Sequence, residues 1–291
     1  MAVGVVSVIW GLSFLWSKIA LAYLAPMQVL ATRWLLGALT LVLLAAARIV
    51  KVNFKGKPLK PLAILTLLQP CTYSICEMVG IDKTTASESA IMVAMIPLVV
   101  LIISSLVYHS KIKPVAVMGI LLAFAGVICT TVFSPAFSVG GKAFGYICLL
   151  GAVLSGALFS IRTNHMAGMY TPLEITTAMT VVGAVFFNAI MLAKGYGFEA
   201  YVLTFQDSRL LTAILFMGFG CTALCYLCYN IVVTQLPPHI ATTLQVNLVT
   251  LVGAVSGIVF GGDHYGLYTA VGLIMIVTGL VITGLNASDS P

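Results

Sequence analysis

Several charged side chains sit where charge is expensive. Lys18, Arg33, Glu77, Arg162 and Glu174 each lie within, or at the edge of, a long apolar run. On insertion scales, a charge at the centre of a membrane helix costs about 2.5–3.5 kcal/mol. Such residues therefore face a cavity, pair with one another or reach an interface. Counted along their helices, Lys18, Arg33 and Glu77 fall within roughly 6–10 Å of one membrane face. Their charges are complementary, and Glu88 can join them. Two readings stand open: a polar gate or substrate-contacting cluster, or snorkelling side chains and a static ion pair. Arg162 and Glu174 occupy the mirror position at the opposite face. There the expectation is an Arg162–Glu174 pair that closes the inner side while Lys18, Arg33 and Glu77 close the outer one. The alternative for these two is loop-end topology.

Uncharged polar residues supply a second set. Trp10, Ser13 and Ser17 share one segment, as do Tyr73, Ser74 and Glu77. Ser155, Ser160 and Asn164 lie together, as do Tyr226, Tyr229 and Asn230, and Thr243, Gln245 and Asn247. Unbonded amides are costly in hydrocarbon, so Gln245 and Asn247 are expected to face other helices or water. Aromatics mixed with amides suit a small organic molecule with an apolar part. They do not resemble a carbonyl or carboxylate ring for a metal ion. Cys71, Cys76, Cys129, Cys148, Cys221, Cys225 and Cys228 lie in apolar stretches and read as small packing residues. His109, His165, His239 and His264 fall at helix ends and read as interfacial. No nucleotide-binding loop or hydrolase motif occurs, so ATP hydrolysis within this chain is excluded and no cofactor is expected. Glu77 is the candidate for proton coupling, since burial and neighbouring cations act on its carboxyl in opposite senses.

The elements that must position these residues follow from composition. Of 291 residues, 61% are hydrophobic and 8% are charged, with a mean hydropathy of +1.13. Soluble domains carry about 25% charged residues, so a soluble enzyme, a nucleic-acid binder and a disulfide-stapled secreted domain are all excluded. A spanning helix needs about 20 apolar residues. Runs bounded by Pro, Gly or charge predict ten helices: 3–23, 27–48, 61–81, 86–108, 114–133, 143–163, 172–193, 209–231, 239–261 and 265–285. Only the connections 49–60 and 194–208 are long. With the N-terminus inside, the inner loops hold Arg48, Lys51, Lys55, Lys57, Lys60, Lys111 and Lys113. The outer ones hold Lys83, Lys142, Lys194 and Arg209. The positive-inside rule then places both termini in the cytoplasm.

The chain also repeats itself. Gly119, Gly126 and Thr130 match Gly272, Gly279 and Thr283, each pair 153 residues apart. The same offset relates Tyr73 to Tyr226, Ser110 to Asp263 and Glu77 to Asn230. Nearer the start of each half, Gly11, Phe14 and Pro26 match Gly156, Phe159 and Pro172. Two units, 1–133 and 143–285, thus carry five spans each. An odd number of spans places the copies in opposite orientations, giving the inverted repeat typical of secondary transporters.

The opening run Trp10-Gly11-Leu12-Ser13-Phe14, followed by Lys18, Pro26 and Arg33, resembles the start of the EamA family of the drug/metabolite transporter superfamily. Thr84-Thr85-Ala86-Ser87, Ala90 and Pro97 resemble its passage from third to fourth helix. Gly261-Gly262-Asp263 stands where members often carry a Gly-Glu turn. Ser110 replaces that acidic residue in the first half, and no proline matches Pro97 in the second. The resemblance covers nearly the whole chain. It implies an all-α polytopic membrane protein of ten helices in two inverted five-helix repeats, working as a monomer in the plasma membrane. It implies carriage of small metabolites, commonly export of amino acids or related compounds. The competing readings are an organic-anion or phosphorylated-metabolite exchanger using Lys18 and Arg33, a non-transporting scaffold or channel, and an intramembrane enzyme.

Overall fold

In lipid, each apolar run must pair its backbone polar groups within itself, which selects the helix. The computed structural model describes residues 2–108, 113–133, 141–263 and 266–286. His109, Ser110, Lys111 and His264 lie outside the described residues, as does the side chain of Asn247. The helices are α1 (Ala2–Leu21), α2 (Pro26–Ala46), α3 (Leu59–Lys83), α4 (Ala86–Val107), α5 (Pro114–Val132) and α6 (Gly141–His165). They continue as α7 (Pro172–Ala193), α8 (Glu199–Gln206), α9 (Ser208–Gln235), α10 (Pro238–Gly261) and α11 (Leu267–Asn286). Among the described residues, nine helices are long and apolar enough to cross a membrane, and Pro114–Thr130 of α5 is a shorter apolar one. The fold is all-α. The short helix α8 falls within 194–208, which reads as a plain connection in sequence. Val202 and Phe205 are exposed on it, as is Phe198 just before it, too brief an apolar signal to register as a span.

Two helices are not regular. In α3 the turns widen over Leu67–Thr72, and Gln69 leaves helical geometry at φ −138, ψ 117. Pro70 is the local cause: proline lacks an N–H and disfavours helical geometry in the residue before it. The carbonyl of Leu68 accepts a bond from the Ser155 hydroxyl at 2.8 Å. In α9 the turns widen over Phe216–Cys225. Both helices read as uninterrupted in sequence. Wide turns of this kind are uncommon and recur at functional sites.

Helix ends explain two of the charged residues. Thr85 and Glu88 form a reciprocal capping box at the start of α4, and Thr171 and Glu174 form one at the start of α7. At the end of α10, Gly262 turns the chain at φ 71, a conformation costly for other residues. This turn aims Asp263 at α4, where its Oδ2 accepts from Ser87 N at 2.9 Å and Ser87 Oγ at 2.6 Å. A carboxylate at a helix N-terminus satisfies unpaired donors and favours the dipole.

The tightest helix pair is α5 with α11. A Cβ on Gly119 would lie 2.7 Å from the Gly279 carbonyl oxygen, and one on Gly126 2.6 Å from that of Gly272. Low numbers on α5 meet high numbers on α11, so the two helices are antiparallel. The other main pairs are α1 with α10, α2 with α7, and α3 with α6. Two apolar cores result. One gathers Leu30, Trp34, Met179 and Phe187; the other gathers Ile91, Leu98, Leu149 and Leu280.

Candidate functional site

The irregular parts of α3 and α9 border one shared cavity. Gln69, Tyr73 and Glu77 of α3 line it, as do Cys221, Tyr226 and Tyr229 of α9. From α1 come Trp10, Ser13 and Phe14, from α2 Arg33, from α6 Phe159, and from α10 Thr242 and Gln245. Concave pockets with apolar walls and a few polar groups suit small organic ligands.

The aromatic wall is a packed set of rings. Trp10 lies 5.0 Å from Tyr226, edge to face, and 5.3 Å from Tyr229 between centroids. Such pairs fix one another's orientation. Their polar tips are tied as well. Trp10 Nε1 donates to the Cys221 carbonyl at 3.2 Å, a carbonyl in the widened part of α9. The Tyr229 and Ser160 hydroxyls share a bond of 2.5 Å. The Gln69 amide donates to the Tyr226 hydroxyl. Ser13 Oγ donates to its own Trp10 carbonyl at 2.6 Å.

Two charges enter this wall. Arg33 is only 4% exposed, and its guanidinium lies 5.7 Å from the Trp34 ring centroid. Glu77 is 8% exposed, and its Oε1 accepts from the Tyr73 hydroxyl at 2.8 Å. Among the described residues, the two make no ion pair with each other.

The remaining charged residues are placed elsewhere, which corrects the expected clusters. Lys18 does not join Arg33 and Glu77. Its ammonium donates to the Asp82 carbonyl at 3.2 Å, near the C-terminal end of α3. Glu88 caps α4 and pairs with Lys142 at 3.4 Å. Arg162 is exposed and does not pair with Glu174. Glu174 pairs instead with Lys57 at 2.5 Å and accepts from Asn53 N at 3.2 Å. The reason is rotational. Residues at similar depth on adjacent helices meet only if both helices turn them inward, and depth does not report rotation. The capping sequences Thr85-x-x-Glu88 and Thr171-x-x-Glu174 already assign both glutamates a local task.

Asn230 is buried away from the cavity lining, its amide donating to Thr176 Oγ1 at 2.9 Å. Gln245 lines the cavity, and its backbone carbonyl holds the Ser7 hydroxyl at 3.0 Å. His239 is buried at the start of α10, not exposed at an interface. Gln69, Phe159, Cys221 and Thr242 line the cavity without having been singled out as site residues. Gln69 was legible, being an amide beside a proline inside an apolar run. The others carry no distinguishing signal.

Because Lys18 bonds outside the cavity, Lys18→Met should leave ligand binding in the cavity unchanged. Titration of the variant against a ligand of the wild-type protein checks this.

Comparison with known proteins adds the following. The model of the EamA-like transporter family matches residues 1–132 and 143–285. The chain is 24% identical to the uncharacterized transporter YcxC of Bacillus subtilis (strain 168) over 284 residues, covering 96% of this chain and 90% of the relative. It is 26% identical over 217 residues to YetK, another uncharacterized transporter of that organism, covering 72% of this chain and 63% of the relative. A solved crystal structure superposes with a TM-score of 0.73 at 14% identity, covering 98% of this chain and 97% of the other. That likeness concerns the fold.

Proposed function

The chain belongs to the EamA-like transporter family, and from that premise we propose that it is a carrier, not an enzyme, which moves small organic metabolites across the plasma membrane by alternating access. Amino acids or related compounds are the proposed cargo, export the proposed direction, and protons a possible coupling ion. Both termini are proposed to be cytoplasmic, following the basic residues of the 48–60 connection.

One observation carries this reading. The irregular stretches of α3 and α9 occupy corresponding places in the two proposed repeats. The 153-residue offset that relates Tyr73 to Tyr226 carries 67–72 onto 220–225, inside Phe216–Cys225. Both stretches border the same cavity. Interrupted helices in matching positions of two halves are a marker of a transporter's midplane site. The α5–α11 contact is reciprocal in the same way. Gly119 faces Gly279 and Thr283, and its counterpart Gly272 faces Gly126 and Thr130. That pattern supports two repeats, 1–133 and 143–285, related by an in-plane twofold axis.

Reconstituted into vesicles preloaded with unlabelled amino acid, the protein should accumulate external labelled amino acid transiently by counterflow, with saturation. Failure of counterflow with every common amino acid would overturn the proposed cargo. Counterflow driven by phosphorylated metabolites instead would establish the exchanger reading.

A further inference from the structure

We propose that Arg33 anchors the carboxylate of the cargo and Glu77 its ammonium group, so that the cavity selects net-neutral zwitterions over simple carboxylates, amines and phosphate esters. The starting point is Arg33. Its Nε is buried with no hydrogen-bond partner among the described residues. Among the described residues no carboxylate lies within ion-pair distance of this side chain; its guanidinium sits against the face of Trp34 and within electrostatic range of Glu77. A guanidinium carries five donors and stays charged. Buried charges in proteins are paired because leaving one bare is costly. A buried guanidinium on a cavity wall, bonded directly by no described carboxylate, is therefore a receptor for an anion that enters the cavity. The planar fork matches a carboxylate in bidentate fashion.

Glu77 decides which anion. Arg33 and Glu77 are the charged members of the lining, so the formal charge of the wall is balanced. A phosphate dianion held at Arg33 would meet the Glu77 carboxylate, and like charges in a low-dielectric site repel strongly. Glu77 uses Oε1 for Tyr73. No described residue engages its other oxygen, which is left to accept an ammonium. The Trp10, Tyr226 and Tyr229 rings then supply the surface for an apolar side chain. The inference rests on the carrier reading only in taking this cavity as the cargo site.

The test uses the full chain in lipid nanodiscs and matched probes. L-phenylalanine is compared with 3-phenylpropionate, which lacks the amine, and phenethylamine, which lacks the carboxylate. L-leucine is compared with its own two analogues, and glycerol 3-phosphate serves as the phosphate ester. The wild-type protein should bind at least one zwitterion about tenfold or more tightly than either analogue, since a charge-assisted bond is worth that much. Arg33→Gln should erase the advantage of the zwitterion over the amine. Glu77→Gln should erase its advantage over the carboxylate. A merely structural role would weaken all probes alike. Equal losses across probes, absence of discrimination by the wild-type protein, tightest binding of the phosphate ester, or no saturable binding of either zwitterion would each overturn the proposal. If Arg33→Gln does not fold, the wild-type ranking and Glu77→Gln decide it. Binding that switches as expected without counterflow in vesicles would leave the anchors standing and remove the carrier reading.

Discussion

Gly272→Leu should prevent accumulation of folded protein. Gly272 lies where α11 crosses α5, and a Cβ built there meets the Thr130 side chain and lies 2.7 Å from the Gly126 carbonyl oxygen. Backbone cannot yield as a flexible side chain can. Close backbone approach through small residues is also a main source of helix association in lipid, where no hydrophobic force drives the helices together. Overpacking a well-filled contact costs about 1–3 kcal/mol and sometimes more, and here the added atoms meet a backbone carbonyl. Loss of the folded peak in detergent size-exclusion chromatography is the expected result. Gly126→Leu should behave the same way, since its Cβ would lie 2.6 Å from the Gly272 carbonyl oxygen. Gly4→Leu is the control, because nothing lies within 4 Å of its Cβ, and it should fold. Normal folding of Gly272→Leu would show that this interface is looser than its geometry.

Glu174→Ala should lower stability by roughly 2–3 kcal/mol, combining a lost helix cap with a broken, partly buried ion pair. Its side chain is 4% exposed, whereas that of Lys57 is 27% exposed. The pair therefore costs less to break than a fully buried one. Removal of Glu174 strands the N–H groups of Asn53 and Thr171, the second of which it accepts at 2.9 Å. It also frees the Lys57 ammonium, which lies 5.4 Å from the Tyr170 ring. These contacts, with the bond from the Tyr170 hydroxyl to the Pro58 carbonyl, tie the 49–58 connection to the start of α7. Thermal unfolding of the variant, with faster proteolysis in 49–58, checks the expectation. Glu174→Gln separates the two contributions: an amide oxygen can still close the capping box, so only the ionic part is lost. A Glu174→Gln variant as damaged as Glu174→Ala would assign the effect to charge alone.

The two ends of α3 show how differently the polar layers are built. Near its start, Glu174 holds the preceding connection through Lys57. Past its end, Asp263 caps α4 through Ser87, while Glu88 pairs with Lys142. An Arg162–Glu174 contact and a Lys18–Arg33–Glu77 cluster follow from depth along helices, and neither exists. Depth is a count of residues, and counting is accurate at 1.5 Å per residue. Which neighbour a side chain meets depends also on the rotation and tilt of both helices, set by packing among all of them. Lys18 illustrates this: counted along its helix it reaches a depth like that of Arg33, but it turns to the Asp82 carbonyl.

Length, hydropathy and the spacing of glycines are local properties, so the sequence by itself determined the ten apolar helices, the family and the small-residue stripes of α5 and α11. Each follows from whether one stretch of chain can satisfy its own backbone in lipid. The tertiary structure alone decided that α9 opens its turns, that α3 and α9 share a cavity, and that Cys221 belongs to its wall. It alone turned Arg33 and Glu77 into the same space while sending Lys18, Glu88 and Glu174 to other partners. Those outcomes depend on contacts between residues far apart in the chain, and no single segment holds that information.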